Sequence, residues 1–180
     1  MAFDPALPAL NSPLSSAEMR AQFTALKALI DAQGSVAYGR LAADWTSGTA
    51  SFTDVSGLSF AVAAGENWTA EIVLHAVSSS SGQGFKFRVA GPGAGSVLIA
   101  IAGTGSSGST ALECEVQTAF SVASPAKTFC VGSNLTGVGR IYVVVINASA
   151  GTVQLQASNS AGTNTVTIKA HSDLVARRTG

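Results

Sequence analysis

Short segments of alternating apolar and polar residues dominate this sequence after Tyr38. Four examples are FKFRV at 85–89, LECEV at 112–116, VQLQAS at 153–158 and TVTIKA at 165–170. A period of two is typical of a β-strand with one buried face. About nine or ten such segments are separated by Gly/Ser turn clusters, and no helical pattern interrupts them. The pattern predicts an antiparallel β-sandwich of jelly-roll type.

Two segments break this alternation, SVLIAIA at 96–102 and RIYVVVIN at 140–147. Both are apolar on both faces, which is expected of a strand that packs on its own core and on something else. A loop, a helix of the same chain or a symmetry-related copy could cover the second face. We expect a neighbouring copy, and the predicted interface residues of these strands are Leu98, Ala100, Tyr142, Val144 and Ile146.

The segment before the strands reads as one helix with both ends specified. Ser15 and Glu18 fit a capping box, and Gly34 supplies a left-handed stop, so the predicted helix runs from about Ser16 to Gln33. Its apolar positions follow a narrow heptad-like seam that either packs on the chain's own domain or forms a bundle or docking contact with other chains. The seam residues, our predicted oligomer and attachment interface, are Met19, Phe23, Leu26, Leu29, Ile30 and Gln33.

These features divide the chain into two parts. Residues 1–37 are predicted to be an arm and helix for attachment and oligomerisation, and residues 38–180 to be the β-sandwich domain. The arm contains three prolines, which favour extended backbone, and it lacks the basic start and continuous apolar stretch of a secretory signal.

Composition narrows the class of partner. Of the 180 residues 47% are hydrophobic, yet no run approaches the roughly 20 apolar residues of a membrane span. The ten basic and ten acidic residues are spread thinly, without a basic run that could follow a phosphate backbone. We therefore expect no nucleic acid and no membrane insertion. The high apolar content indicates surface that is buried against other chains.

Groups suited to catalysis or metal binding are scarce. His75 and His171 lack metal-ligand spacing, and the His-Ser-Asp run at 171–173, read as part of a strand, alternates faces and cannot form a relay. Glu113 and Glu115 share a strand face, a carboxylate spacing that glycosidases can use. Cross-strand ion pairs with facing Lys and Arg at 86 and 88 explain them better. We expect no enzyme activity, cofactor or metal.

The two cysteines, Cys114 and Cys130, leave two readings open. Buried thiols are the preferred interpretation, and a disulfide is the alternative.

Several longer blocks carry a resemblance to a known class of proteins. PALNSPLSSAEMRAQFTALKALIDAQ at 8–33 resembles the N-terminal segment of many bacteriophage virion proteins. TASFTDVSGLSFAVAAGENW at 49–68, GFKFRVAGPGAGS at 84–96, GTVQLQAS at 151–158 and TVTIKAHSDL at 165–174 look like a β-sandwich domain of phage tail and minor structural proteins. The resemblance implies a virion component, such as a tail or head fibre, a spike or a capsid decoration protein, assembled in the bacterial cytoplasm.

Taken together, the sequence predicts a non-enzymatic virion structural protein. We expect a homotrimer that contacts other capsid or tail proteins through its arm and helix. The alternative is a module that binds a receptor or host glycan through the Ser/Gly loops at 78–83 and 104–110. These loops lack the aromatic residues that usually stack on sugars.

Overall fold

The computed structural model describes residues 15–32, 34–80, 84–104, 112–121, 136–162 and 164–180. The chain divides into two compact units, with the boundary between Ser35 and Val36. Each unit is described by itself. The predicted arm at 1–14 lies outside the described residues.

The described part of the first unit contains one helix, α1 (Ser16–Ala32). Its N-terminus is the predicted capping box: the Ser15 amide donates to Glu18 Oε2 at 2.8 Å, and the Glu18 amide donates to Ser15 Oγ at 3.2 Å. The same bonds from Ser15 lower the pKa of Glu18. Beyond the last turn, Gly34 has φ 82°, the left-handed conformation that ends a helix. The predicted helix is confirmed, with Gln33 outside the described residues.

The second unit has eleven strands among the residues described. They are β1 (Val36–Arg40), β2 (Trp45–Ser47), β3 (Thr53–Val62), β4 (Trp68–Ser78), β5 (Phe85–Ala90), β6 (Ala94–Thr104), β7 (Leu112–Gln117), β8 (Thr136–Ala148), β9 (Gly151–Asn159), β10 (Val166–Ile168) and β11 (Asp173–Arg178). Among them, all the pairs that form a ladder are antiparallel.

The strands form two sheets. The large sheet has the order β1-β11-β4-β8-β6-β7, with β10 pairing β4 and β2 pairing β10. The small sheet has the order β3-β9-β5. The chain crosses repeatedly from one sheet to the other, as in jelly-roll sandwiches. The predicted fold class, a mainly β antiparallel sandwich after one N-terminal helix, is confirmed.

The core lies between the inner faces of the two sheets. From the large sheet it takes Ile72, Leu74, Ile99, Ile101, Ile141, Val143, Val145 and Leu174, and from the small sheet Leu58, Phe60, Phe85, Phe87, Val153 and Leu155. The rings of Phe85 and Phe87 stack with centroids 5.4 Å apart. In β5, β9 and β10 the apolar residues of the alternating pattern are internal, as predicted. On β7 the prediction is wrong, because Val116 is 59% exposed whereas Gln117 is buried.

The block GLSFAVAAGENW at 57–68 has alternating apolar residues before the turn sequence AGEN at 64–67, which predicts a hairpin of two paired strands. The structure contradicts this prediction. The large apolar residues of the block are buried, but β3 belongs to the small sheet and β4 to the large one, so the turn joins two sheets. Glu66 fixes this turn. Its carboxylate accepts hydrogen bonds from the Ala63 amide at 2.8 Å, Trp68 Nε1 at 2.9 Å and Arg178 Nη1 at 3.0 Å.

The proposed ion pairs between the strand of Lys86 and Arg88 and that of Glu113 and Glu115 are also contradicted. The first strand, β5, pairs with β9 in the small sheet, whereas β7 pairs with β6 in the large sheet. Alternation alone cannot identify a strand's neighbours, because pairing is decided by contacts far apart in sequence.

Candidate interaction surface

The five predicted interface residues of the strands come together on one surface. In the antiparallel register of β6 and β8, Leu98 lies opposite Val144 and Ala100 lies opposite Tyr142. Ile146 follows on β8, opposite Ser96. All five share the face of the large sheet that points away from the core, which we call the outer face.

The outer face is uncovered at these strands. Leu98, Tyr142 and Ile146 are 43–48% exposed, and Ala100 and Val144 are partly buried by their neighbours. The residues between them, such as Ile99 and Val143, are fully buried on the opposite side. The two strands that are apolar on both faces, β6 and β8, therefore pack one face in the core and expose the other at the surface.

The structure adds apolar residues that the sequence analysis missed. Tyr38 on β1 is 78% exposed, Val116 on β7 is 59% exposed, and Val36 and Val138 are also exposed. The missed signal is the alternation in VAYGR at 36–40, which is too short to stand out. Only the strand order places β1 and β7 at the two edges of the same face.

Charged side chains lie within this face, on the strands between its edges. Arg140 Nη1 is 3.4 Å from Glu71 Oε1. The Tyr142 hydroxyl and then the Glu71 carboxylate raise the pKa of Arg140. A shallow cavity of about 320 Å³ adjoins this group, lined by Thr69, Ala70, Glu71, Tyr142, Val175 and Arg177. It holds opposite charges beside an aromatic ring.

The outer face of the small sheet is polar by comparison. Arg88 Nε donates to Gln156 Oε1 at 2.6 Å, and Gln156 Nε2 donates to Asp54 Oδ1 at 2.6 Å. The Arg88 guanidinium also lies 4.5 Å from the centre of the Phe52 ring. This network faces water on a sheet with one solvated side, as antiparallel sheets commonly do. The two outer faces of the sandwich thus differ in chemistry.

The seam of α1 is exposed as well. Met19, Phe23, Leu26, Leu29 and Ile30 are 40–64% exposed, with Phe23 at the upper limit. Ala25, which lies outside the seam, is the buried position among the helix side chains that the structure describes. Five large apolar side chains on one stripe of a single helix are unusual at a surface that stays in water.

The two histidines lie on different elements of the fold. His75 lies exposed on the outer face of the large sheet, while His171 occupies a turn with φ 72°, not the strand expected from the sequence. Arg40 Nη2 contacts His171 Nδ1. Within the described ranges, no group of three His, Cys, Asp or Glu side chains could hold a metal ion.

Other candidate positions fall partly beyond what the structure describes. Of the two Ser/Gly loops, residues 81–83 and 105–110 lie outside the described residues. Cys114 is on β7 without a described side chain, and Cys130 lies outside the described ranges, so the thiol and disulfide alternatives stay predictions. Among the described residues, no helix combines the length and the apolar character needed to cross a membrane.

Comparisons with known proteins give structural neighbours at low identity. No family model matches the sequence, and no curated protein matches it significantly. The chain is similar to the structure of Eiger TNF from S. frugiperda, with 10% identity and a TM-score of 0.39 over 82% of this chain and 93% of that chain. It is also similar to the VP2 subviral particle of infectious bursal disease virus, with 12% identity and a TM-score of 0.25 over 81% of this chain.

A structure of the Gx strain of the same virus matches at 12% identity and a TM-score of 0.24. This chain spans 37% of the length of both viral chains. TM-scores of this size do not establish a common fold. The fold class of the chain, a mainly β antiparallel sandwich, therefore rests on its own strand pairing.

Proposed function

We propose that this chain is a non-enzymatic structural protein of a bacteriophage virion. In this proposal it forms a homotrimeric short fibre or decoration protein, attached to the capsid or tail through its N-terminal arm and helix. It is made and assembled in the bacterial cytoplasm. The observation that carries the proposal is the outer face of the large sheet, where the predicted interface residues meet on one apolar surface.

The asymmetry between the two outer faces supports a contact with other chains. A monomer in water is expected to place polar side chains on both outer surfaces of a sandwich, as the small sheet does with Arg88 and Gln156. The large sheet instead exposes Leu98, Tyr142 and Ile146. Burying such a face stabilises the assembled state by about 25 cal/mol per Å² of apolar surface removed from water. Association between chains supplies that burial.

The exposed seam of α1 supports an attachment or assembly role for the helix. Heptad-spaced apolar residues are the pattern by which helices pack on one another. A helix of 17 residues is too short to hold chains together alone, so the sandwich must contribute to the assembly. In this proposal the helix and the outer face both take part in assembly with other chains.

The oligomer is tested by light scattering of the full-length chain. We expect a trimer, and we expect Leu98→Lys together with Ile146→Lys to shift it towards monomer. Thr152→Lys, on the exposed polar face of the small sheet, is the matched control and should leave the trimer intact. A monomeric wild-type chain at micromolar concentration would contradict the proposal.

The virion location needs a separate experiment. Mass spectrometry of purified phage particles should detect the chain at a fixed copy number, and immunogold labelling should place it on the head or tail. If the chain is absent from particles produced in cells that express it, the virion proposal fails. A positive glycan array combined with absence from particles would instead favour a binding module.

A further inference from the structure

The shallow cavity on the outer face is formed by three neighbouring strands of the large sheet, β11, β4 and β8. The register places Thr69 of β4 opposite Arg177 of β11. Two residues along β4, Glu71 lies opposite Val175 on one side and Tyr142 on the other. The volume of about 320 Å³ is at the lower end of the roughly 300–1,000 Å³ of ligand pockets. The cavity therefore suits a ligand the size of a single ring.

Arg140 holds two of the lining side chains in place. Its Nη1 donates to Glu71 Oε1 at 3.4 Å, and its guanidinium also interacts with the Tyr142 hydroxyl. Glu71 Oε2 accepts no hydrogen bond from a residue that the structure describes, so it can accept one from a ligand. The exposed part of the Tyr142 ring is available for packing. A carboxylate oxygen and an aromatic ring are thus positioned before any ligand arrives, which lowers the entropic cost of binding.

Arg177 gives the cavity an excess of positive charge. Its neighbours on the adjacent strands are Val36 and Thr69, and neither is charged. Arg177 is exposed and forms no ion pair within the ranges that the structure describes. Glu71, by contrast, is already paired with Arg140. An anionic group in the cavity is therefore attracted to the guanidinium of Arg177.

We propose that this cavity binds an acidic saccharide, a sugar ring that carries a carboxylate or a phosphate group. The planar guanidinium of Arg177 offers paired N–H donors to the anionic group. Glu71 Oε2 and the Thr69 hydroxyl form hydrogen bonds with sugar hydroxyls. The Tyr142 ring packs on an apolar face of the sugar. A saccharide fits this set of side chains because it presents hydroxyl groups and apolar C–H faces on one small ring.

The cavity is distinct from the two Ser/Gly loops at 78–83 and 104–110. Those loops contain no aromatic residue, whereas the cavity combines Tyr142 with charged and hydroxyl groups. Among the described lining residues, Tyr142 alone belongs to the predicted strand interface. The inference goes beyond the structural role proposed above, and it does not depend on the trimer.

A ligand-observed NMR titration of the full-length chain tests the site. Glucuronate, glucose 6-phosphate and uncharged glucose are titrated separately at low ionic strength, where screening is weak. We expect at least one anionic sugar to bind with a dissociation constant of about 1 mM, and glucose to bind at least about tenfold more weakly. The tighter of the two anionic sugars identifies the charged group that the site prefers. If neither binds more tightly than glucose, the proposal is wrong.

Two variants assign the binding to the lining residues. Arg177→Gln removes the cation, and we expect it to reduce the affinity for the anionic sugar at least about tenfold, to the level of glucose. Tyr142→Ala should also weaken that sugar, because it removes the packing surface. The matched control is Arg88→Gln, which removes the same charge from the outer face of the small sheet and should leave every affinity unchanged. Circular dichroism and the melting temperature verify the folding of each variant.

The outcomes separate this inference from the function proposed above. An anionic sugar that binds folded Arg177→Gln as tightly as the wild type overturns the site. The comparison of the three sugars on the wild type needs no variant, so it decides the question even if a substitution prevents folding. Light scattering of the same samples tests the trimer independently. A monomer that binds the anionic sugar contradicts the trimer and supports this site, whereas a trimer that binds no sugar does the reverse.

Discussion

A Cβ atom on Gly39 would collide with the carbonyl oxygen of Gly57. Gly39 lies on β1 of the large sheet, and Gly57 lies on β3 of the small sheet, where the pairing with β9 shifts register between Asp54 and Ser59. Gly57 itself has φ 90°, a conformation that other residues rarely adopt. The two sheets thus meet backbone to backbone at this corner, and neither position has room for a side chain.

Gly39→Ala should therefore lower the free energy of unfolding by about 1–3 kcal/mol, because the obstacle is backbone and cannot rotate away. Urea denaturation followed by tryptophan fluorescence measures the change. The control is Gly48→Ala, where an added Cβ meets no atom within 4 Å, and this change should stay within about 0.5 kcal/mol. Equal stability of both variants would show that the corner relaxes at no cost.

Two buried serines should differ in how much stability the protein loses when each is replaced by alanine. Ser172 Oγ accepts a hydrogen bond from the His75 amide at 3.0 Å and donates to the Lys169 carbonyl at 2.9 Å. Ser158 Oγ is buried and has no partner within the described part of the chain. Ser172→Ala should cost about 1–3 kcal/mol, since it leaves a buried amide without its acceptor, whereas Ser158→Ala should be neutral or stabilising. Chemical denaturation of both variants and the wild type at one pH measures the two changes in the free energy of unfolding. Equal losses would contradict the prediction.

The Glu66 carboxylate should make stability depend on pH in the acid range. Its pKa lies below the usual 4.5, first because of the Ala63 amide hydrogen bond and then because of Trp68 and Arg178. A lowered folded pKa gives a stabilising contribution that is complete above the unfolded pKa and is lost as the pH falls through the folded pKa. Near pH 7, Glu66→Gln should cost about 1–3 kcal/mol. The difference between wild type and variant should shrink as the pH falls below that usual value. Urea midpoints across this range measure it, and a constant difference would contradict the assignment.

The helix seam should contribute to assembly and not to the stability of the sandwich. Phe23→Glu with Ile30→Glu places charges on two of the most exposed seam positions, which would lie in an apolar contact between helices. We expect the oligomer to weaken at least tenfold in light scattering or analytical ultracentrifugation, while the sandwich keeps its unfolding midpoint at high dilution. Ala28→Glu, on the opposite side of the helix, is the matched control. Equal weakening by the control would argue against a seam-specific contact.

The limits of each helix and strand follow largely from local chemistry. The capping pair Ser15 and Glu18 and the stop at Gly34 are short-range signals, and the helix begins and ends where they predict. Most strand segments follow from period-two alternation, and so do the buried positions of β5, β9 and β10. The exception is β7, where alternation assigns Val116 to the wrong face. The five interface candidates on β6 and β8 share one outward face because of the same period of two.

What the sequence by itself determined was thus the type of most elements and, in strands such as β5 and β9, the side on which each residue lies. The tertiary structure alone decided which strands are neighbours: it put β3 and β4 in different sheets, separated β5 from β7, and brought Tyr38 and Val116 to opposite edges of one face. Alternation is set by backbone geometry within a strand, so it is visible locally. Pairing is set by the packing of the whole core, which no single segment contains.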